Sequence, residues 1–276
     1  MMQQLSPIEI ERIKSLFSNA DSLIISAGAG MGVDSGLPDF RGNQGMWQTY
    51  LELGKQRIDF MDIANPAAFR QTPRLAWGFY GHRLDSYRHT QPHQGFYLLK
   101  QLAEKLELPY FVFTSNVDGQ FQKAGFNASQ IYECHGSIHH LQCFEPCDQE
   151  IWSADQLQPE IDKDLCQWLG DLPKCSACGS LARPNVLMFN DDQWIRQRNY
   201  QQYKRLEKFI KQYHHPVVIE IGAGTAIATV RGFSERFAPQ LIRINLREAM
   251  LPSKGGVSIA ENAVIGIQNI YQILVE

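Results

Sequence analysis

The chain has 276 residues, 44% of them hydrophobic, enough for one large core or a large and a small one. Its formal net charge of −3 leaves no basic footprint for nucleic acid and no polybasic patch for a membrane surface. No apolar run is long enough to span a bilayer, and the polar start MMQQLSPIEIERIK lacks the apolar stretch of a signal peptide, so the expected location is cytoplasmic.

Ser6-Pro7-Ile8-Glu9 reads as a helix start, with Ser6 at the N-cap and Pro7 in the first turn. Ile13, Leu16 and Phe17 continue an apolar stripe to about Asn19. Leu23-Ile24-Ile25-Ser26 is a short apolar run of buried-strand type, and Gly28, Gly30 and Gly32 follow it at alternate positions. Glycines after a strand allow a tight turn and bring backbone N–H groups close to a phosphate; a glycine-rich turn without a ligand has the same spacing. Asp39, Phe40 and Arg41 follow Pro38, placing an acceptor, an aromatic face and a cation in one stiffened loop. From about residue 43 to residue 89 helix formers and aromatics dominate, and most of the aromatics belong to a core. Tyr80 and Arg83, three apart, share a helix face.

His93 stands at a helix start and reads as structural. The strand Pro109–Phe113 delivers Thr114-Ser115-Asn116-Val117-Asp118 at its C-terminal end, where open α/β sheets bind ligands. His135 follows a further strand in the run Glu133-Cys134-His135-Gly136-Ser137, with Cys134 a buried bystander. Of the six cysteines, Cys143 and Cys147 form one close pair and Cys175 and Cys178 another. Two such pairs give four thiolates able to enclose a tetrahedral zinc ion with no open position, hence a structural one. A cluster of free thiols or an iron–sulfur site would use the same residues, and Cys166 lies between the pairs as a possible substitute. Val186 and Phe189 lie in an apolar strand-like run, Tyr200–Tyr213 is a basic amphipathic helix, and Pro216–Ile221 is a strand ending in Gly222-Ala223-Gly224-Thr225. Leu241–Leu246 is a strand that carries Asn245, and a closing helix runs from Asn262 to Val275.

The stretch GAGMGVDSGLPDFRG, Gly28 to Gly42, closely resembles the signature of the sirtuins, the NAD-dependent protein deacylases. Further motifs follow in the family's order, so the resemblance covers nearly the whole chain. It is similar to the family at Thr114–Asp118, His135-Gly136-Ser137, the two cysteine pairs, Arg183–Asp191, and the segments around Gly224-Thr225 and Ile244-Asn245. Departures fall at Gly32 (usually serine), Ser115 (glutamine), Asn190-Asp191 (Gly-Glu) and Arg247 (an acid). The first cysteine pair also has three intervening residues where most members have two.

The alternating strands and helices imply a doubly wound, mainly parallel α/β sheet of Rossmann type, with a small inserted zinc module and a helical insertion. The large part would span about 1–42, 90–136 and 183–276, the helical insertion 43–89 and the zinc module 137–182. The resemblance implies NAD as cosubstrate, held by Gly28, Ala29, Gly30, Asp39, Phe40, Arg41, Ser115, Asn116, Asp118, His135, Gly224, Thr225 and Asn245. Zinc would sit on Cys143, Cys147, Cys175 and Cys178. Acyl-lysine proteins or peptides would be the partners, with the acyl-lysine stem on Val186 and Phe189. Tyr80 and Arg83 match a Tyr-x-x-Arg pair with which some members select acidic acyl groups. The acyl oxygen would attack the nicotinamide ribose, with Asn116 and Asp118 positioning it. His135 would then act as general base on a ribose hydroxyl, giving free lysine, nicotinamide and O-acyl-ADP-ribose. ADP-ribosyl transfer to protein, NAD hydrolysis, or NAD sensing without turnover would use the same cleft. Nothing in the sequence specifies an oligomeric state.

Overall fold

The first helix, Pro7–Ser18, begins as its sequence dictates. The Ser6 hydroxyl accepts from the Glu9 N–H, and the Glu9 carboxylate accepts from the Ser6 N–H at 2.8 Å, closing a capping box. The computed structural model describes residues 5–39, 42–251 and 255–275.

The strands in chain order are β1 (Ser22–Ala27), β2 (Tyr110–Thr114), β3 (Ile131–Glu133), β4 (Gly136–Cys143), β5 (Ile151–Ser153), β6 (Ile161–Asp162), β7 (Gln167–Trp168), β8 (Ala182–Val186), β9 (Pro216–Ile221), β10 (Leu241–Ile244) and β11 (Val257–Ile259). Six of them form one sheet in the order β11-β10-β9-β1-β2-β3, and every neighbouring pair is parallel. All six residues of β1 and of β9 are buried, as central strands covered on both faces must be. One face packs on the helices Pro7–Ser18, Gln94–Lys105 and Ala263–Val275 through Ile13, Phe96, Leu99, Ile267 and Ile270. The other packs on Gln197–Gln212 and Thr229–Ser234 through Leu206, Phe209, Val230 and Phe233. This is the expected doubly wound sheet.

A smaller antiparallel sheet, β5-β4-β8, and the hairpin β6-β7 lie beside it. With them are the helices Gly42–Thr49, Leu51–Lys55, Phe60–Ile63, Pro66–Gln71 and Pro73–His89. A separate apolar cluster that includes Trp77, Phe79, Tyr80, Leu141, Trp168 and Val186 joins these helices to the small sheet.

The tight turn expected at the glycine-rich loop takes the form of a 3₁₀ helix, Ala29–Ser35, and two other local expectations need correction. The strand expected to reach Leu246 ends at Ile244, because the Asn245 side chain takes over the following backbone N–H groups. The helix expected from Tyr200 starts at Gln197 without a side-chain cap, so no sequence signal marked its first turn.

Candidate functional site

Strand order reverses between β1 and β9, so their C-terminal ends open a crevice at the switch point of the sheet. The Gly28 N–H donates to the Ile221 carbonyl and the Gly30 N–H to the Gly222 carbonyl, both at 3.0 Å. The two loops touch backbone to backbone. A Cβ on Gly30 would lie 2.7 Å from Gly222 Cα, and one on Gly222 would lie 2.4 Å from the Gly30 carbonyl carbon. Gly222 also has φ +61, so two independent constraints require glycine there. Gly28 is buried beneath the loop while Ala29 is exposed on it, and Asp39 is half-buried. Phe40 and Arg41 lie outside the described residues.

The loop after β2 is fastened to this crevice. Thr114 Oγ1 donates to the Ala27 carbonyl and accepts from the Asn116 N–H, each at 3.0 Å. The Asn116 amide donates to the Gly28 carbonyl at 3.0 Å, and the Ser115 N–H donates to Ala27 at 3.2 Å. Asp118 is buried and accepts from the Gln120 N–H at 2.9 Å. Burial pushes its carboxyl up to about 6, against that hydrogen bond. His135 follows β3, which pairs with β2, and the Cys134 N–H donates to the Thr114 carbonyl. Burial lowers the His135 pKa, more than its backbone hydrogen bond with Ser115 raises it. The ring is therefore a neutral base at neutral pH, with Nε2 3.5 Å from Thr229 Oγ1. Cys134 is a buried thiol pushed up to about 12 by burial, inert as expected. His93 is structural: Nδ1 accepts from the Gly95 N–H, which leaves Nε2–H to donate to the Met31 carbonyl.

At the far end of the crevice Gly224 is half-exposed and Thr225 exposed. Thr225 Oγ1 donates to Glu248 at 2.6 Å. The Asn245 amide donates to the Ala223 carbonyl, while its oxygen accepts from the Arg247 and Glu248 N–H groups. Arg231 donates to the Ala223 and Glu248 carbonyls. The sequence reading missed Gly222, Glu248 and Arg231 here. Glu248 is an acid one residue beyond the position where the family pattern has one, and Gly222 was visible as the residue ending an apolar run. Arg231 carried no signal.

The other residues singled out from the sequence lie in the helical segment and the small sheet. Tyr80 is fully enclosed against Phe69 and Phe79. Arg83 is 8% exposed, with its guanidinium 5.3 to 5.7 Å from the ring centres of Phe79, Tyr80 and Tyr87 and its Nε donating to the Tyr87 hydroxyl. Its positive charge reaches Asp118, partly offsetting the effect of burial there. Val186 is buried at the end of β8, and Phe189 meets Phe60 edge to face at 5.9 Å. The Leu187 and Phe189 N–H groups donate to the His135 and Ala64 carbonyls. The Asn190-Asp191 departure has a physical account in this chain. Asn190 adopts φ +54, a conformation asparagine tolerates, and Asp191 forms a fully buried ion pair with Arg183 at 2.8 Å.

The four cysteines also converge, on the turns flanking β4 and β8. Cys143, Cys147, Cys175 and Cys178 place their sulfurs within 4.8 Å of one another, with Cys143–Cys178 at 3.6 Å and Cys147–Cys175 at 3.8 Å. A tetrahedron with Zn–S bonds of about 2.3 Å has sulfur–sulfur edges of about 3.8 Å, so the cluster fits zinc, whereas a disulfide needs about 2.05 Å. The extra residue between Cys143 and Cys147 does not open the cluster. Cys166 is buried elsewhere, against the helix Pro73–His89, and is no ligand.

Sheet order, switch-point crevice and four-cysteine site define a Rossmann-type nucleotide-binding class with a structural zinc module. A model of the Sir2 family matches residues 28–225. An NAD-dependent protein deacylase of Aquifex aeolicus is 28% identical over 258 residues, covering 92% of this chain and 96% of that protein. Another, from Pyrococcus abyssi, is 33% identical over 184 residues, 67% of this chain and 66% of the relative. Among solved structures, a Sir2 homolog in complex with NAD superposes with a TM-score of 0.74 at 23% identity, covering 99% of this chain and 95% of that one. That last likeness is one of fold. The chain belongs to the Sir2 family.

Proposed function

We propose that the protein is an NAD-dependent lysine deacylase that acts on acylated proteins, favours acyl chains ending in a carboxylate, and releases nicotinamide and O-acyl-ADP-ribose. Family membership and the names of the relatives support the deacylase reading. The observation that carries it is the fastening of the β2 loop to the glycine loop: Asn116 is hydrogen-bonded to Gly28, with Asp118 and His135 on the same rim.

An amide oxygen is a weak nucleophile, so its attack on the anomeric carbon of the nicotinamide ribose depends on positioning and on stabilising developing positive charge. Asp118, ionised above pH about 6 in a buried loop, is the anion at that locus. Asn116, anchored through its own amide, fixes the orientation of the loop. His135, neutral at pH 7, takes the proton of a ribose hydroxyl as that oxygen attacks the acyl carbon of the intermediate. Zinc supplies only structural cross-linking, because four sulfurs leave it no open position. Arg83 is a buried cation lined by aromatic faces. A carboxylate at the end of a substrate acyl chain is the group that a buried guanidinium pairs with best, and the Tyr80 ring lies 5.7 Å from that guanidinium.

Mass spectrometry of the products formed from NAD with matched acetyl- and succinyl-lysine peptides tests this reading. O-acyl-ADP-ribose that requires both peptide and His135, with succinyl preferred, is the expected result. NAD consumption without an acylated product would replace the reading with ADP-ribosyl transfer or hydrolysis.

A further inference from the structure

The hairpin β6-β7, carried in the insert between the two cysteine pairs, packs against one face of the helix Pro73–His89, and the Tyr80–Arg83 pair occupies the opposite face. At about 100° per residue, Arg74, Trp77, Gly78, Gly81 and Arg88 line one side of that helix, and Phe79, Tyr80, Arg83 and Tyr87 the other. The hairpin side is in backbone contact. A Cβ at Gly78 would fall 1.9 Å from the Cys166 carbonyl oxygen, and one at Gly81 would fall 2.8 Å from Ile161 and 2.9 Å from Trp168. Trp77 and Trp168 rings pack at 5.4 Å. Both ends of the helix are also tied down. Arg74 donates to the Trp168 and Gly170 carbonyls at 2.8 and 2.9 Å, and Arg88 donates to the Leu157 and Ala154 carbonyls.

The opposite side faces the catalytic loop. The Arg83 charge acts on Asp118, and at the helix's C-terminal end the Gln120 amide donates to the Tyr87 carbonyl and Lys123 to the Arg88 carbonyl. The helix is thus held between the hairpin and the loop that carries Asp118. We infer that the hairpin is a back-stop that sets where Tyr80 and Arg83 stand relative to the loop carrying Asp118, which makes Gly78, Arg74 and Trp168 positioning residues for acyl-group specificity. The glycines allow the closest backbone approach, so a single added methyl at residue 78 pushes the helix off its stop toward the catalytic loop. This rests on the reading of Arg83 as the acyl selector.

The test compares wild type, Gly78→Ala, the milder surface variant Arg74→Gln, and a control, Gly232→Ala, at a helical glycine with nothing within 4 Å of an added Cβ. Four quantities are read: amide exchange across residues 76–84, KM for a succinyl-lysine peptide, KM for NAD, and the succinyl-to-acetyl ratio of kcat/KM. In Gly78→Ala and Arg74→Gln, exchange should speed up and peptide KM should rise severalfold. NAD KM should stay within about twofold, and the ratio should fall severalfold; a purely structural role would not produce that split. The control should match wild type. Unchanged exchange in both variants overturns the back-stop, as does faster exchange with peptide KM and acyl ratio intact. The selector reading fails separately: if Arg83→Gln leaves the ratio unchanged, that reading falls. The back-stop is then judged on exchange and on the KM split for whichever acyl-lysine peptide the wild type uses.

Discussion

The switch-point crevice and the four-cysteine module are built on opposite principles. In the crevice, backbone meets backbone at Gly28, Gly30 and Gly222, and the hydrogen bonds run along a parallel sheet whose strands are buried on both faces. The module has a three-stranded sheet, a two-residue-per-strand hairpin and long loops. Its turns converge on four sulfurs, two of them on exposed cysteines. The crevice takes its geometry from steric exclusion, and the module takes its geometry from a cross-link. One therefore fails on the addition of a methyl group, and the other on the loss of an ion.

The largest effect should come from zinc. Structural zinc sites contribute on the order of 10 kcal/mol of apparent binding energy, which here is folding energy of the module. Chelation or Cys175→Ser should abolish amide protection in β4, β5 and β8 while β1, β2 and β9 keep theirs. Equal loss in both regions would show that the two are not separately held. Next in size is Gly222→Ala, which combines a left-handed φ with a contact 2.4 Å from backbone. It should cost about 3 kcal/mol or more in denaturant unfolding and abolish NAD binding in a calorimetric titration, with the zinc content unchanged. A variant that binds NAD normally would contradict the crevice geometry.

The smallest effect has the opposite sign. Burial holds the Asp118 carboxyl near 6 in the folded protein, above its ordinary value of 3.8. Above pH about 6 the folded state bears the full cost of the buried anion; below 3.8 both states are protonated and the cost is gone. Asp118→Asn should therefore stabilise the protein by about 1–3 kcal/mol at pH 7.5, with the gain vanishing as pH falls toward 3.8, while turnover is lost. Thermal melts across that range check the sign, and a gain independent of pH would contradict it.

Much of this was legible in the chain. Apolar runs at Leu23–Ser26 and Pro216–Ile221 marked the central strands, because strands buried on both faces have no alternation to hide. Close cysteine pairs marked the metal site, since only local turns bring the sulfurs together. The crevice was half legible. Gly28 and Gly30 stood out, but their partner Gly222 lies about 190 residues away, and only the pairing of β1 with β9 shows that the three are one contact. Glu248 and Arg231 are fixed by tertiary hydrogen bonds that leave no periodic trace. The hairpin β6-β7 was not anticipated, because strands of two residues carry no pattern and its partner is a glycine-notched helix 80 residues earlier.

The most direct test of the account is to follow exchange of labelled nicotinamide into NAD, in the presence of an acyl-lysine peptide, alongside formation of O-acyl-ADP-ribose. The first reports attack on the ribose, assigned to the Asn116–Asp118 loop; the second reports the proton transfer assigned to His135. In His135→Ala the acylated product should fall by about 100-fold or more while exchange persists. Equal loss of both, or product formation at the wild-type rate, would contradict the division of roles.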